Sequence, residues 1–178
     1  MSSFVKVVLL ATLVAFAGFI GGCSNKPRMG RYTIEVSLDP SLATSAAVPS
    51  IEVDIIGVSP ARAAVWDAQS LNNYFAAANM ERQTADRHTM TFGAGSTAPQ
   101  TLSSTDDMWD KWMAGGATQV YVMASLPGIS TDAAGEADPR RLILPLDTRH
   151  WERGQTIKVE VRRNSLEALT GPKPIEAN

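Results

Sequence analysis

Cysteine is nearly absent from this sequence. Cys23 is the one thiol among 178 residues, so no internal disulfide can brace a fold and no set of thiolates can hold a metal. Histidine is almost as scarce: His88 and His150 stand far apart, and the chain has neither an HExxH pair nor a Gly-x-Ser-x-Gly elbow. Positive charge forms no extended run in sequence, and 16 Lys and Arg against 18 Asp and Glu give a formal net charge of −2. That balance excludes the basic footprint of nucleic-acid binding and predicts no electrostatic hold on anionic lipid. No repeat period is visible, which excludes solenoids and propellers. Apolar runs are short with one exception, residues 7–20. A helix of about 14 residues reaches roughly 21 Å, short of the ~30 Å hydrocarbon core that a spanning helix must cross.

What is present begins with that run. It follows a short polar start with a single cation, Lys6, and precedes Gly21, Gly22 and Cys23, the order of an export signal. Ile20-Gly21-Gly22-Cys23 resembles the lipobox of bacterial lipoproteins, with Cys23 at the expected cleavage point. The resemblance implies that residues 1–22 are removed and that Cys23 carries diacylglycerol and an N-acyl chain, its thiol consumed as a thioether, with no other cofactor. Each buried CH₂ of such chains contributes about 0.8 kcal/mol, and more than one chain anchors stably. An ordinary secretory signal followed by a chance cysteine is the competing reading. Loss of the leader leaves 156 of the 178 residues, enough for one domain with a sizeable core.

Residues 23–30, with Pro27, Gly30 and no apolar period, read as a lipidated tether. From Arg31, strict alternation sets Tyr32, Ile34, Val36 and Leu38 against Arg31, Thr33, Glu35 and Ser37, the pattern of a half-buried strand. Asp39-Pro40 ends it. After a small-residue loop, residues 51–58 form a second strand, and Ser59-Pro60 has the look of a helix start. Leu71, Tyr74, Phe75 and Ala78 fall at helical spacing, so helix is expected toward Asn79. His88, Met90 and Phe92 mark a third strand and Thr101 and Leu102 a fourth. A short helical turn through Met108, Trp109, Trp112 and Met113 is stopped by Gly115 and Gly116.

Residues 119–126 make the most apolar strand, hence a central one, and 141–146 and 156–162 are the last two, with Pro145 placing its strand at an edge. Residues 127–139 lack periodicity and predict a mobile surface loop; from Glu167 onward a frayed tail is expected. The whole reads as all-β: a two-sheet β-sandwich with short helical insertions over residues 31–169, after the signal peptide and tether and before a flexible tail at 170–178. Sheets about 10 Å apart would each bury one alternating face.

No catalytic set emerges from the residues. Asp106, Asp107 and Asp110 lack the DxDxDG spacing of a calcium loop and read as helix-start acids, so no metal site is expected. Gly93-Ala94-Gly95 lacks the third glycine of a dinucleotide loop. Catalysis would require His88 or His150 to meet a carboxylate in a pocket, and the chain is read as non-catalytic. Trp66, Trp109, Trp112 and Trp151 serve as large lids on the sandwich. Trp112, beside Lys111, is the candidate exposed contact, because tryptophan is enriched at binding hot spots.

The order of elements resembles a known family, the small outer-membrane lipoproteins of the type VI secretion system called TssJ. The resemblance rests on the lipobox at Cys23, the first strand and loop, and a strand after proline (Pro49-Ser50-Ile51-Glu52-Val53-Asp54-Ile55-Ile56). It continues through the helical insertion holding Leu71 and Phe75, the apolar strand Tyr121-Val122-Met123-Ala124, and Leu142-Ile143-Leu144-Pro145-Leu146 with the final strand ending before Asn164. Residues 108–113 and 127–139 are larger than the family implies. The resemblance implies a transthyretin-like sandwich without enzymatic activity that joins the secretion machine's membrane complex to the outer membrane, by binding the periplasmic domain of a large inner-membrane component. It places the partner contact in the loop at 39–50, centred on Ser41, Leu42, Ala43, Thr44, Ser45, Ala46 and Ala47. Ser24, where aspartate would retain a lipoprotein at the inner membrane, is compatible with the periplasmic face of the outer membrane. The alternative is another envelope lipoprotein whose loops or tryptophans bind a small ligand or polysaccharide.

Overall fold

Alternating β-branched and polar residues close into two stacked sheets. The computed structural model describes residues 28–175, so the expected signal peptide and Cys23 lie outside the described residues. The strands are β1 (Thr33–Leu38), β2 (Ile51–Val58), β3 (Arg87–Phe92), β4 (Gln100–Leu102), β5 (Gln119–Ala124), β6 (Arg141–Pro145), β7 (Thr156–Val161) and β8 (Leu166–Ala168). One sheet runs β4-β1-β7-β8 and the other β3-β2-β5-β6. Pairing is antiparallel except between β1 and β7, where Ile34, Val36 and Leu38 lie beside Ile157, Val159 and Val161. These six side chains point inward and meet Ile51, Val53 and Ile55 of β2 in the main core. The two-sheet sandwich expected from the sequence is therefore the observed architecture.

The second sheet departs from the one-face expectation. Helices α2 (Pro60–Asp67), α3 (Leu71–Tyr74) and α4 (Met80–Thr84) follow β2 and cover its outer side. Proline at the first turn starts α2, while the Ser70 hydroxyl accepts from Asn73 N–H and the Asn79 side chain from Arg82 N–H at the starts of α3 and α4. A second core forms there from Ile56, Val58, Trp66, Leu71, Tyr74, Tyr121 and Met123. Burial on both faces explains why β5 is an apolar run rather than an alternation. Asp54 sits inside this layer, fully buried, and accepts from Tyr74 Oη at 3.0 Å, Thr89 Oγ1 at 2.6 Å and Arg82 Nε at 2.7 Å.

Three segments are more ordered than their composition suggests. The expected mobile loop at 127–139 is pinned. Arg140 and Asp138 are buried and paired at 2.8 Å, while Arg140 also reaches Asp132 at 2.6 Å and Asn72 Oδ1 at 2.7 Å. Asp132 in turn accepts from the Ser70 hydroxyl at 2.6 Å, so the loop is drawn toward α3. Arg141, also buried, donates to the carbonyls of Asp67 and Gln69 at 2.9 and 2.6 Å, satisfying acceptors left open at the end of α2.

The expected frayed tail contains β8, and beyond it Lys173 N–H donates to His150 O at 2.8 Å. At the other terminus the ordered body begins before the Arg31 boundary. Met29 bridges Asp147, and Gly30 N–H donates to Leu146 O at 2.7 Å.

Candidate functional site

Strand register sorts the loops onto two ends. Leu38 lies beside Val161, Ile51 opposite Phe92 and Val53 opposite Ala124, so the loops at 39–50, 93–99, 125–140 and 162–165 share one end. The chain entry at 28–32, the segment 103–118 and the loop 146–155 share the other. Six residues of β1 at about 3.3 Å each put the two ends ~20 Å apart.

The 39–50 loop is built on a short helix, α1 (Pro40–Ala43), for which Asp39 supplies the N-cap, accepting from Ser41 N–H at 2.8 Å. Hydrogen bonds from the Ser41 hydroxyl and then its backbone N–H hold the Asp39 carboxyl below the usual carboxylate range. Ser41, Thr44, Ala46 and Ala47 are exposed and Ala43 and Ser45 half-buried. Leu42 is a correction to the expected contact set. It is buried in the main core, where an apolar side chain at the inner face of α1 plugs the end of the sandwich.

Trp112 is a second correction. It lies in α5 (Met108–Ala114), is buried, and donates its indole N–H to Asp86 O at 2.8 Å. Its ring packs edge-on against Trp109 at 5.0 Å and fills the space left by Gly57, where an added Cβ would stand 2.8 Å from Trp112 Cδ1. Gly57→Ala is accordingly expected to destabilise the fold by about 1–3 kcal/mol through overpacking. Denaturant unfolding would measure that loss, accompanied by a weakened near-ultraviolet circular dichroism band of the tryptophans.

The opposite end carries a cavity of about 570 Å³ whose lining includes Arg28, Arg31, Thr33, Ser104, Trp151 and Arg153. Its aromatic floor is fixed. Tyr32 and Trp151 pack at a tilt with ring centroids 5.7 Å apart, Tyr32 Oη donates to Leu146 O at 3.2 Å, and Trp151 Nε1 donates to Pro145 O at 2.8 Å. Burial, then the charge of Asp147, pushes the Tyr32 hydroxyl up to about 12. Nothing in the sequence signals this cavity, because its cations come from two segments more than 120 residues apart.

The histidines do not converge. His88 Nδ1 lies 3.9 Å from an Asp106 carboxylate oxygen at the sheet margin, and His150 Nδ1 contacts Lys173 O at 2.7 Å. Neither lines the cavity. Among the described residues no group of three or more His, Cys, Asp or Glu side chains gathers as a metal site, and no helix is long and apolar enough to cross a membrane.

The class defined by this geometry is a two-sheet β-sandwich with one parallel strand pair and a helical layer over one sheet. Its overall fold is similar to that of solved structures. A chain in the structure of the type VI secretion protein TssM C-terminal domain from EAEC superposes with a TM-score of 0.53 at 15% identity, covering 78% of this chain and 99% of that one. A chain of a type VI membrane complex gives 0.53 at 16% identity over 80% and 99% of the two chains. The type VI lipoprotein TssJ1 from Pseudomonas aeruginosa gives 0.47 at 13% identity over 84% of this chain and all of that one. The likeness to proteins of the type VI secretion membrane complex is thus one of fold. No family model matches the sequence, and a search of curated proteins gives no match.

Proposed function

We propose that this chain is a non-catalytic lipoprotein, anchored through acylated Cys23 at the periplasmic face of the outer membrane, that tethers a type VI secretion membrane complex by binding the periplasmic domain of an inner-membrane component. The observation that supports this reading is the placement of the chain entry and the 39–50 loop at opposite ends of the sandwich, in a fold similar over 80% of this chain to a chain from a type VI membrane complex. A lipid at one end and a presented loop at the other are what a tether needs. Small and hydroxyl side chains at Ser41, Thr44, Ala46 and Ala47 let a partner's larger groups approach the backbone.

The test is direct binding of the full-length lipoprotein, held in neutral detergent, to the C-terminal domain of the TssM-type protein from its own host. Thr44→Arg with Ala46→Arg, both at exposed positions, is expected to weaken binding by about 10- to 100-fold, the equivalent of ~1.4–2.8 kcal/mol. An unchanged affinity in that variant, or no binding by the wild type, would refute the assignment.

A further inference from the structure

The chain-entry end sets Arg28 and Arg31 beside Arg153, which lies more than 120 residues further along the chain. Arg28, Arg31 and Arg153 line the ~570 Å³ cavity, where Glu152 is the only acidic residue of the lining among the described residues. Glu152 is engaged by Lys173 at 2.7 Å, and Arg31 by Asp110. The nearby Asp147 is committed to Arg149, with contacts of 2.5 and 2.9 Å. Among the described residues no carboxylate pairs with Arg28 or Arg153, and the hydroxyl-bearing Thr33, Ser104 and Thr148 border the same space. Guanidinium forks and hydroxyl donors around a ligand-sized cavity are matched to a phosphate oxyanion.

Position identifies the source of that phosphate. The backbone at Arg28 is fixed, because its carbonyl accepts from Thr148 N–H at 2.8 Å. Four residues, 24–27, separate it from Cys23, and the five steps between them reach at most ~18 Å. The cavity mouth therefore stays near the headgroup layer of any bilayer holding that cysteine, while the 39–50 loop faces away. Its Tyr32 and Trp151 floor is the kind of aromatic pair found where one side is apolar and the other wet.

We propose that this cavity binds the phosphate of an anionic phospholipid headgroup, seating the body on the membrane to which it is tethered; the inference rests on the lipid-anchor reading of Cys23. It also revises the sequence expectation of no electrostatic hold on lipid, since overall charge does not report a local cluster.

The experiment uses the full-length protein in neutral detergent, titrated with phosphatidylglycerol, phosphatidylcholine or inorganic phosphate while thermal unfolding is followed. Phosphatidylglycerol is expected to raise the unfolding temperature at concentrations about tenfold lower than phosphatidylcholine, and high salt to weaken the effect. Arg28→Gln with Arg153→Gln should weaken the response by about tenfold or more; Arg153→Gln alone, on an exposed turn, serves if the double variant does not fold. Equal responses to the two lipids, an undiminished response in the variants, or a response to inorganic phosphate without one to phosphatidylglycerol would overturn the proposal. The intact mass of the same sample reports acylation of Cys23 separately, so failure of the anchor and failure of the cavity give different results.

Discussion

Replacing Asp54 with alanine is expected to lower the free energy of unfolding by about 3–5 kcal/mol, roughly a fifth or more of the margin of an ordinary domain. The carboxylate is fully buried and is the common acceptor for Tyr74, Thr89 and Arg82, with Arg87 Nε at 3.7 Å. Its removal leaves the Arg82 guanidinium in place over the rings of Phe75 and Tyr74, at 4.9 and 5.9 Å, with only Glu52 at 2.9 Å to balance it. Glu52 is 41% exposed, and a solvated partner of this kind compensates little.

The damage should concentrate in the helical layer, because α4 buries no apolar residue of its own and is held through Arg82. Denaturant unfolding would give the loss. Hydrogen exchange should rise first over residues 66–92, while β1 and β7 stay protected. Asp54→Asn, which can still accept hydrogen bonds, is expected to lose less. A fall below about 1 kcal/mol for the alanine variant would show that the layer is held by its apolar contacts alone.

The parts of the fold that were legible in the sequence are those whose period is local. β1 and β7 alternate because one face of their sheet is buried, and β5 is apolar throughout because both of its faces are. β8 and α4 gave no such signal. Three residues with one buried side chain cannot establish an alternation, and a helix without a buried residue has no apolar stripe. The 127–139 loop is ordered by Ser70 and Asn72, 58 to 62 residues away, and by the buried Arg140 at its end, so its polar composition read as mobility.

The candidate contacts divide in the same way. That a loop follows β1 could be seen from Asp39-Pro40, but whether Leu42 points into the core depended on how α1 lies across the sandwich end. The burial of Trp112 was decided by Gly57, 55 positions earlier in the chain, whose missing side chain makes room for the indole. The cavity was invisible for the opposite reason: Arg153 lies more than 120 residues from Arg28 and Arg31 in sequence, and net charge averages over the whole surface.

Arg140→Met should be nearly as damaging as loss of Asp54, at about 3–5 kcal/mol, with a distinct dependence on pH. Asp138 is buried, and burial pushes its carboxyl up. Hydrogen bonds from the Arg140 guanidinium and from the backbone N–H groups of Arg140 and Ala133 outweigh that and hold it below the usual carboxylate range. Asp132 behaves likewise, with the Ser70 hydroxyl, Asn72 N–H and Arg140 overcoming burial. Carboxyls depressed in the fold bind protons more readily in the unfolded chain. Their stabilisation is therefore complete above the unfolded value near 3.8 and is lost as the pH falls through the lower folded values.

Without the Arg140 side chain the burial of Asp138 is opposed only by the backbone N–H groups of residue 140 and Ala133, so its folded pKa rises and the stability that the variant loses on acidification shrinks. The gap between wild type and variant is expected to be widest near neutral pH and to narrow below about pH 4. Denaturant unfolding across that range tests this, alongside limited proteolysis, in which the released 127–139 loop should be cut first. Parallel pH profiles for the two proteins, or a loop as resistant as before, would mean that the Arg140 cluster is not what holds this end of the sandwich closed.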